Sequence, residues 1–345
     1  MPVSDAAQKA ECFLGTGSKA GAAIWKSITR LAPAWAILFL FASPASGDQG
    51  WEGHSLHVTW ENDAIRDSDR HYTQGSKIRY LSSDRATPDW LSRWSNHIPA
   101  VGLRPDASKF GLEVGQEIYT PEDLDAHELV PDDRPYAGWL YGRLQLQRRG
   151  TGPANIPVME SFGMDLGVIG PESFAEDTQK VWHSRDPSGW DHQLPTEVGF
   201  NLLYDRSYLF RLNRGSPWVA DAIPEVEASL GNVDIHLGLS GTVRVGYNVP
   251  DRFEVPVGTT RKKFGVYFFL RTGGRFVLRN IFLDGSTWRE SHSVEKNYWV
   301  GNLSSGITLV LKPFELTASN SYRTREFHGQ DRADSWGSAT ITFKF

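Results

Sequence analysis

Three segments of this chain concentrate the residue types that could do chemistry. They run from Asn62 to Thr73, from Thr120 to Gly138 and from Gly170 to Thr196, and they are rich in Asp, Glu, His and Arg. Carboxylate and amide oxygens bind hard cations such as calcium. A neutral imidazole, with an ordinary pKa of about 6.5, can accept a proton near neutral pH. A fold that brings these segments together would therefore create one polar site.

The composition limits which folds can position such a site. The 345 residues include 13 Trp, 11 Tyr, 18 Phe and 33 Gly, a mixture that favours β-structure over a helical bundle. The single Cys excludes an internal disulfide and a cysteine-based zinc site. A formal net charge of −5 argues against a nucleic-acid partner.

The first 47 residues have the features of a secretory signal peptide. Lys26 and Arg30 precede an apolar run, 31–42, and small residues follow it at 43–47. This run is too short to form a membrane-spanning helix, which needs roughly 20 apolar residues, and Pro33 interrupts it. We therefore predict export, with a signal peptide over 1–47.

Residues 48–345 are dominated by alternation of apolar and polar side chains. In 233–240, Val, Ile, Leu and Leu alternate with Asp, His, Gly and Ser. The chain ends on an amphipathic strand with a terminal phenylalanine, Phe345, which resembles the assembly signal of bacterial outer-membrane barrels. Segments of about ten alternating residues are typical of barrel strands. We predict an all-β fold, a single transmembrane antiparallel β-barrel of 12 strands, at 54–62, 71–82, 108–119, 137–149, 157–169, 197–212, 223–232, 233–248, 263–278, 295–311, 313–326 and 335–345.

The three polar segments follow strands one, three and five. Because successive strands run in opposite directions, these three connections lie at the same end of the barrel. If the mature chain starts in the periplasm, that end is extracellular. Pro171 and the acidic residues after it predict a short helix over 171–184, within an extracellular loop. A periplasmic β-protein is the alternative, because a soluble sandwich also alternates.

Several short motifs in these segments resemble the lipid A 3′-O-deacylase family. They are Glu61-Asn62-Asp63, the stretch 69–75 (DRHYTQG), the stretch 133–138 (DRPYAG), and 167–171 (GVIGP) followed by Gln179 and His183. They occur in the family's order across nearly the whole mature chain. The resemblance implies a 12-stranded outer-membrane barrel, a site between its wall and a loop helix, and calcium-dependent hydrolysis of the 3′ acyloxyacyl ester of lipid A.

The resemblance also implies roles for individual residues. His183 matches the family's essential histidine, Asn62 and Asp63 its acid-amide pair, and Thr73 its essential threonine. Asn62 and Asp63 are the expected calcium ligands. The family's catalytic lysine, a few residues after the stretch 119–121, has no counterpart, because 122–127 reads EDLDAH. The expected substrate-binding residues are Arg134 and Lys77, which could supply a replacement charge, and Gln179, one helical turn before the histidine.

Two other functions fit the same sequence. One is an outer-membrane esterase of phospholipase type with a serine nucleophile, for which the adjacent His183 and Ser184 are the only suggestive pair. The other is a non-enzymatic barrel, a pore or an adhesin. Polar side chains at inward positions, such as Glu113 and Arg143, predict a plugged lumen. The expected partner is lipopolysaccharide in the outer leaflet of the outer membrane, and the oligomeric state stays open.

Overall fold

A computed structural model describes residues 53–63, 71–84, 86–182, 187–213, 216–250 and 263–345. The predicted signal peptide over 1–47 lies outside these residues. So does His183, the expected catalytic histidine.

The described chain is a succession of long antiparallel strands joined by turns and loops. One two-residue strand, Phe210–Arg211, continues the sixth strand beyond a break at Leu209 and pairs with the same neighbour. We therefore count the two as one wall position, β6. The strands are β1 Ser55–Asn62, β2 His71–Leu81, β3 Arg104–Thr120, β4 Ala137–Thr151, β5 Pro157–Ile169, β6 Glu197–Tyr208, β7 Trp218–Gly231, β8 Asp234–Tyr247, β9 Phe264–Asn280, β10 Trp299–Leu311, β11 Phe314–Arg323 and β12 Asp334–Lys344.

Each strand pairs with its neighbours in the sequence, and one further pairing closes the sheet. β12 pairs with β1, from Ser55 opposite Lys344 to Asn62 opposite Gly337. All the strands therefore form one closed antiparallel barrel without a free edge. The predicted fold class and the count of 12 strands are confirmed. The main differences lie at strand ends: β3 begins at Arg104 rather than 108, and β7 at Trp218 rather than 223.

The two faces of the wall differ in polarity, as a membrane-spanning barrel requires. Apolar side chains on the outside are strongly exposed, for example Leu237 at 59%, Leu239 at 67% and Phe268 at 64%. The lumen contains charged side chains in ion pairs, including Arg143 with Asp165. A cavity of about 600 Å³ remains among them.

The two ends of the barrel differ in their connections. We call the end with Ser55 and Lys344 the terminal end, and the opposite end, with the connections that follow β1, β3 and β5, the loop end. Helix α1, Asp89–His97, lies in the β2–β3 connection at the terminal end. The sequence pattern predicts strands at 71–82 and 108–119 and no helix in the connection between them. Helix α2, Ala175–Trp182, lies in the β5–β6 connection, within the predicted helix 171–184, and α3, Ile281–Asp284, follows β9.

The helices of the described segments are all short. None of them combines the length and the apolar character needed to cross a membrane.

Charged side chains occupy the lumen and should block the flow of ions through the barrel. Lys77 Nζ lies 3.1 Å from Glu117 Oε1, and Arg271 Nη2 lies 2.5 Å from Glu225 Oε1, so ion pairs extend into the lumen from opposite walls. We expect the purified protein to show no porin-like conductance in planar bilayers, because these side chains and the loop-end cap described below fill the bore. Stable porin-like current steps would contradict a plugged barrel.

Candidate active site

The loop ends of β1 to β4 present side chains on two faces. Lumen-facing residues such as Glu61, Tyr72 and Glu117 line the central cavity. Since successive side chains point to opposite faces of a strand, the residues between them point outward. These outward residues are buried even though they lie on the outside of the barrel: Asn62, Gln74, Gln116, Ile118, Thr120 and Gly138. The chain therefore folds over the outer wall at this place.

A β-bulge directs Thr73 toward the same outer face. The register between β2 and β3 shifts between Tyr72 and Gln74, which leaves Thr73 as the extra residue. Its Oγ1 lies 2.8 Å from Oγ1 of Thr120, and its side chain is fully buried. Bulges often re-aim a side chain next to a functional site.

Asn62 and Asp63 lie beside this bulge, at the end of β1. Asn62 pairs with Gln74 in the sheet, and the Asp63 backbone N–H donates to the Thr73 carbonyl at 3.3 Å. The exposed fractions of Asn62 and Asp63 are only 5% and 2%. The structure thus brings together three of the four predicted catalytic residues, Asn62, Asp63 and Thr73.

Helix α2 packs against the outside of the wall next to these residues. The side-chain amide of Gln116 donates to the Ser173 carbonyl at 2.7 Å, just before the helix. Ala175 packs in a small core with Ile118, Tyr136 and Trp190. The β5–β6 connection therefore holds α2 on β3 and β4. We use the term recess for the buried polar part of the outer wall beside this helix, at Asn62, Asp63 and Thr73.

Gln179 lies on the buried side of α2. Its side chain has no exposed surface, and its Oε1 accepts a hydrogen bond from Trp190 Nε1 at 2.8 Å. Its Nε2 makes no hydrogen bond with the part of the chain that the structure describes. His183 follows Gln179 by four positions in the sequence, the spacing of one helical turn.

The close approach of α2 requires a glycine at position 138. A Cβ there would lie 2.0 Å from Ser173 Oγ and 2.2 Å from the Ala175 Cβ. We expect Gly138→Val to cost about 1–3 kcal/mol through overpacking and to displace α2. Proteolysis of the segment 170–196 in the folded barrel should become faster. Gly142→Val is the matched control, since a Cβ at Gly142 meets nothing closer than 3.9 Å, and equal proteolysis of both variants would contradict this packing.

The structure places Arg134 and Lys77 away from this recess. Arg134 is 1% exposed, and its Nη2 donates to Glu326 Oε2 at 2.9 Å. Lys77 points into the lumen, where its Nζ lies 3.5 Å from Glu61 Oε2. The barrel wall separates Lys77 from Asn62, and Arg134 is held in a buried ion pair with Glu326.

A buried polar cluster that the sequence analysis did not anticipate closes the loop end above the lumen. His71 has a positive φ of 61° and is 1% exposed, with its Nδ1 2.7 Å from Asp334 and its Nε2 3.5 Å from Asp133. Arg134 joins this cluster through the His71 carbonyl at 3.3 Å and through Glu326. The cluster connects the starts of β2 and β12 with the β3–β4 and β11–β12 loops.

Both loop carboxyls of this cap are held ionised. Burial alone would raise the pKa of Asp133, but hydrogen bonds from His71 and from the backbone N–H groups of Glu122 and Arg134 outweigh burial and lower it. Burial likewise opposes ionisation of Glu326, but nearby guanidinium groups, above all that of Arg323, lower its pKa to about 2. The cap therefore stays charged at neutral pH and acts as structure, because its side chains are buried among themselves.

The oxygen donors in the recess fit a hard cation. Asp63 supplies a carboxylate and Asn62 an amide oxygen, both nearly buried, and calcium prefers such ligands. Within the described segments, the one cluster of three metal-ligating side chains is elsewhere, at Asp205, Glu225 and Glu227 in the lumen. Arg271 lies 2.5 Å from Glu225 and 3.4 Å from Glu227, so a guanidinium already balances part of that charge.

Comparisons with known proteins agree with this architecture. A family model described as outer membrane protein LpxR matches residues 34–345. LpxR from Salmonella typhimurium has a similar structure, with a TM-score of 0.67 and 22% sequence identity over 84% of this chain and 100% of that chain. The β-domain of the Bordetella autotransporter BrkA matches with a TM-score of 0.43 and 13% identity, over 85% of this chain and 98% of that one.

A comparison with curated protein sequences gives no match. The family model nevertheless covers most of the chain, including every described strand. The resemblance drawn from the sequence motifs is thereby confirmed, and the chain belongs to the family of the outer membrane protein LpxR.

Proposed function

We propose that this outer-membrane barrel is a lipid A deacylase, an ester hydrolase that removes the 3′-linked acyloxyacyl group. The observation that carries the proposal is that the recess lies on the outer face of the barrel wall. Asn62, Asp63 and Thr73 are on the outer face, where a membrane lipid can approach, and not in the lumen. The lumen is polar as well, so the support for a lipid substrate comes from the outward direction of these three family-matching residues.

The proposed orientation has the loop end in the outer leaflet, where lipopolysaccharide is found. The first described strand begins, and the last one ends, at the opposite, terminal end. With that end in the periplasm, the recess lies beside the headgroup region of the outer leaflet. The ester bonds of lipid A are then within reach of residues on the outer wall.

In the proposed mechanism, His183 accepts a proton from water, which attacks the ester carbonyl. The bond between the acyl carbon and the 3′ oxygen then breaks, and the departing oxygen takes the proton from His183. In the sequence, position 183 continues the spacing of Ala175 and Gln179, two α2 residues that are buried against the wall. Asn62 and Asp63 would hold calcium, and Thr73 orients the water or the acyl carbonyl. When bound, calcium supplies a Lewis acid that polarises the carbonyl.

The departure from the family at 122–127 bears on the choice of substrate. The Glu122 backbone N–H donates to Asp133 Oδ2 at 2.7 Å, and its carboxylate lies 3.2 Å from Arg332, so this acidic stretch is tied to the cap. Lys77 faces the lumen and Arg134 is buried. Neither cation lies beside Asn62 and Thr73 on the outer wall, and we therefore propose that this chain differs from the family in its substrate preference.

A reaction with purified protein tests this function against the alternatives. Detergent-solubilised protein is mixed with lipid A, with and without a calcium chelator, and the released fatty acids are identified. We expect release of a 3′ acyloxyacyl group that stops in chelator and continues after a serine-directed sulfonylating reagent. Loss of activity with that reagent would favour the serine esterase, and no release under any condition would favour a non-enzymatic barrel.

A further inference from the structure

Helix α1 lies on the outside of the barrel at the terminal end. Leu91 and Ser95 face the wall and are 3% and 4% exposed. Arg148, an outward-facing residue of β4, donates to the carbonyls of Ser95 at 3.0 Å and Ile98 at 2.9 Å. These bonds satisfy carbonyls at the carboxyl end of the helix and fix α1 on the barrel surface.

An open apolar groove of about 630 Å³ lies between α1 and the wall. Trp90 and Trp94 form the helix side and are 57% and 51% exposed, while Met164, Leu202 and Leu230 form the wall side. The volume is within the range of about 300–1,000 Å³ that is typical of small-molecule sites. Tryptophan is also enriched where a protein meets the membrane interface.

Positive charge is in excess at the terminal end of this groove. Glu160 is 2% exposed and lies between two guanidinium groups, 2.7 Å from Arg148 and 2.8 Å from Arg206. Tyr204, which lines the groove, also donates to Glu160, at 3.1 Å. One carboxylate thus faces two cations. The Arg206 side chain is 11% exposed and that of Arg148 only 3%, so Arg206 is the cation that a ligand in the groove can reach.

We propose that this groove binds one membrane phospholipid. Its acyl chains lie between the two tryptophans and the wall, and its phosphate accepts hydrogen bonds from Arg206. The groove opens toward the hydrocarbon that surrounds the barrel, and its charged end matches an anion. A ligand with an apolar tail and an anionic head satisfies both parts, and a phospholipid is the membrane component with that chemistry. The site is on a different part of the wall from the recess at Asn62 and Thr73.

Retention of lipid by the protein tests the proposal without any activity measurement. The full-length mature barrel is reconstituted into vesicles of phosphatidylethanolamine and phosphatidylglycerol, released with mild detergent and analysed by native mass spectrometry. We expect one phospholipid to stay bound to the wild type. Arg206→Gln should reduce the bound fraction about tenfold, the effect of losing one charge-assisted hydrogen bond. Arg104→Gln, at an exposed arginine of the same end, should retain the lipid.

A second pair of variants tests the apolar part of the groove. Leu202→Trp fills the groove and should displace the lipid, whereas Leu303→Trp, at a comparably exposed outer position on β10, should not. Both leucines face outward, so folding should be preserved, and heat-modifiable migration checks it. Equal lipid retention by the wild type and Leu202→Trp would overturn the proposal. Retention of an adventitious additive only would also overturn it.

Discussion

His183→Gln should lower the rate of lipid A deacylation by about 10²–10⁴-fold, the usual effect of losing a positioned general base. Glutamine keeps a polar side chain of similar length but cannot accept the proton from water at neutral pH. The loss should persist at every calcium concentration, because the missing function is proton transfer. The rate is measured from released fatty acid at saturating calcium.

A histidine in the same connection provides the control for this prediction. His192 lies in a short 3₁₀ turn, Trp190–His192, and is exposed. His192→Gln should therefore keep close to wild-type activity, and heat-modifiable gel migration should show that both variants fold. Wild-type activity in a folded His183→Gln barrel would mean that another group activates the water.

Asp63→Asn should lower the same rate by about 10²–10³-fold, but raised calcium should restore part of it. The amide oxygen still offers a ligand atom, yet the negative charge that strengthens cation binding is lost. A positive centre at the developing oxyanion is worth roughly this factor. The measurement is a calcium titration of activity, in which the midpoint for the variant should move to higher concentration.

Comparison with Asp63→Ala separates the effect of the charge from that of the ligand atom. The alanine variant loses both, so raised calcium should restore no activity. Because Asp63 is buried beside β2, folding of the variant is checked in parallel. Asp191→Asn, at an exposed aspartate of the β5–β6 connection, is the matched control and should leave the titration unchanged. An unshifted midpoint for a folded Asp63→Asn variant would contradict the assignment of Asp63 as a calcium ligand.

The barrel could be predicted from the sequence because period-two alternation directly reports a wall with one apolar face. The proximity of Asn62 and Thr73 was also accessible, since they flank the connection between two adjacent strands. The bulge that turns Thr73 outward was not, because nothing in the stretch 72–74 marks an extra residue. Register therefore decided which side chains share a face.

Strand register and long-range pairing also explain why the two cations proposed for substrate binding do not lie at the site. Motif proximity placed Lys77 and Arg134 near the site, but Lys77 points into the lumen and Arg134 pairs with Glu326, a residue 192 positions away. Such long-range pairing leaves no local signal. Helix α1 was missed for a related reason: it has only nine residues, and Arg148, from a distant strand, holds its end.

The most direct test of the central claim is the mass of lipid A from cells that express this protein. Lipid A is extracted from otherwise identical cells with the wild type, with His183→Gln and without the gene, and analysed by mass spectrometry. Deacylation predicts a species lighter by one acyloxyacyl group with the wild type only, and fragmentation should locate the loss at the 3′ position. Identical spectra from all three strains, with the barrel folded in the outer membrane, would contradict the claim that this protein is a lipid A deacylase.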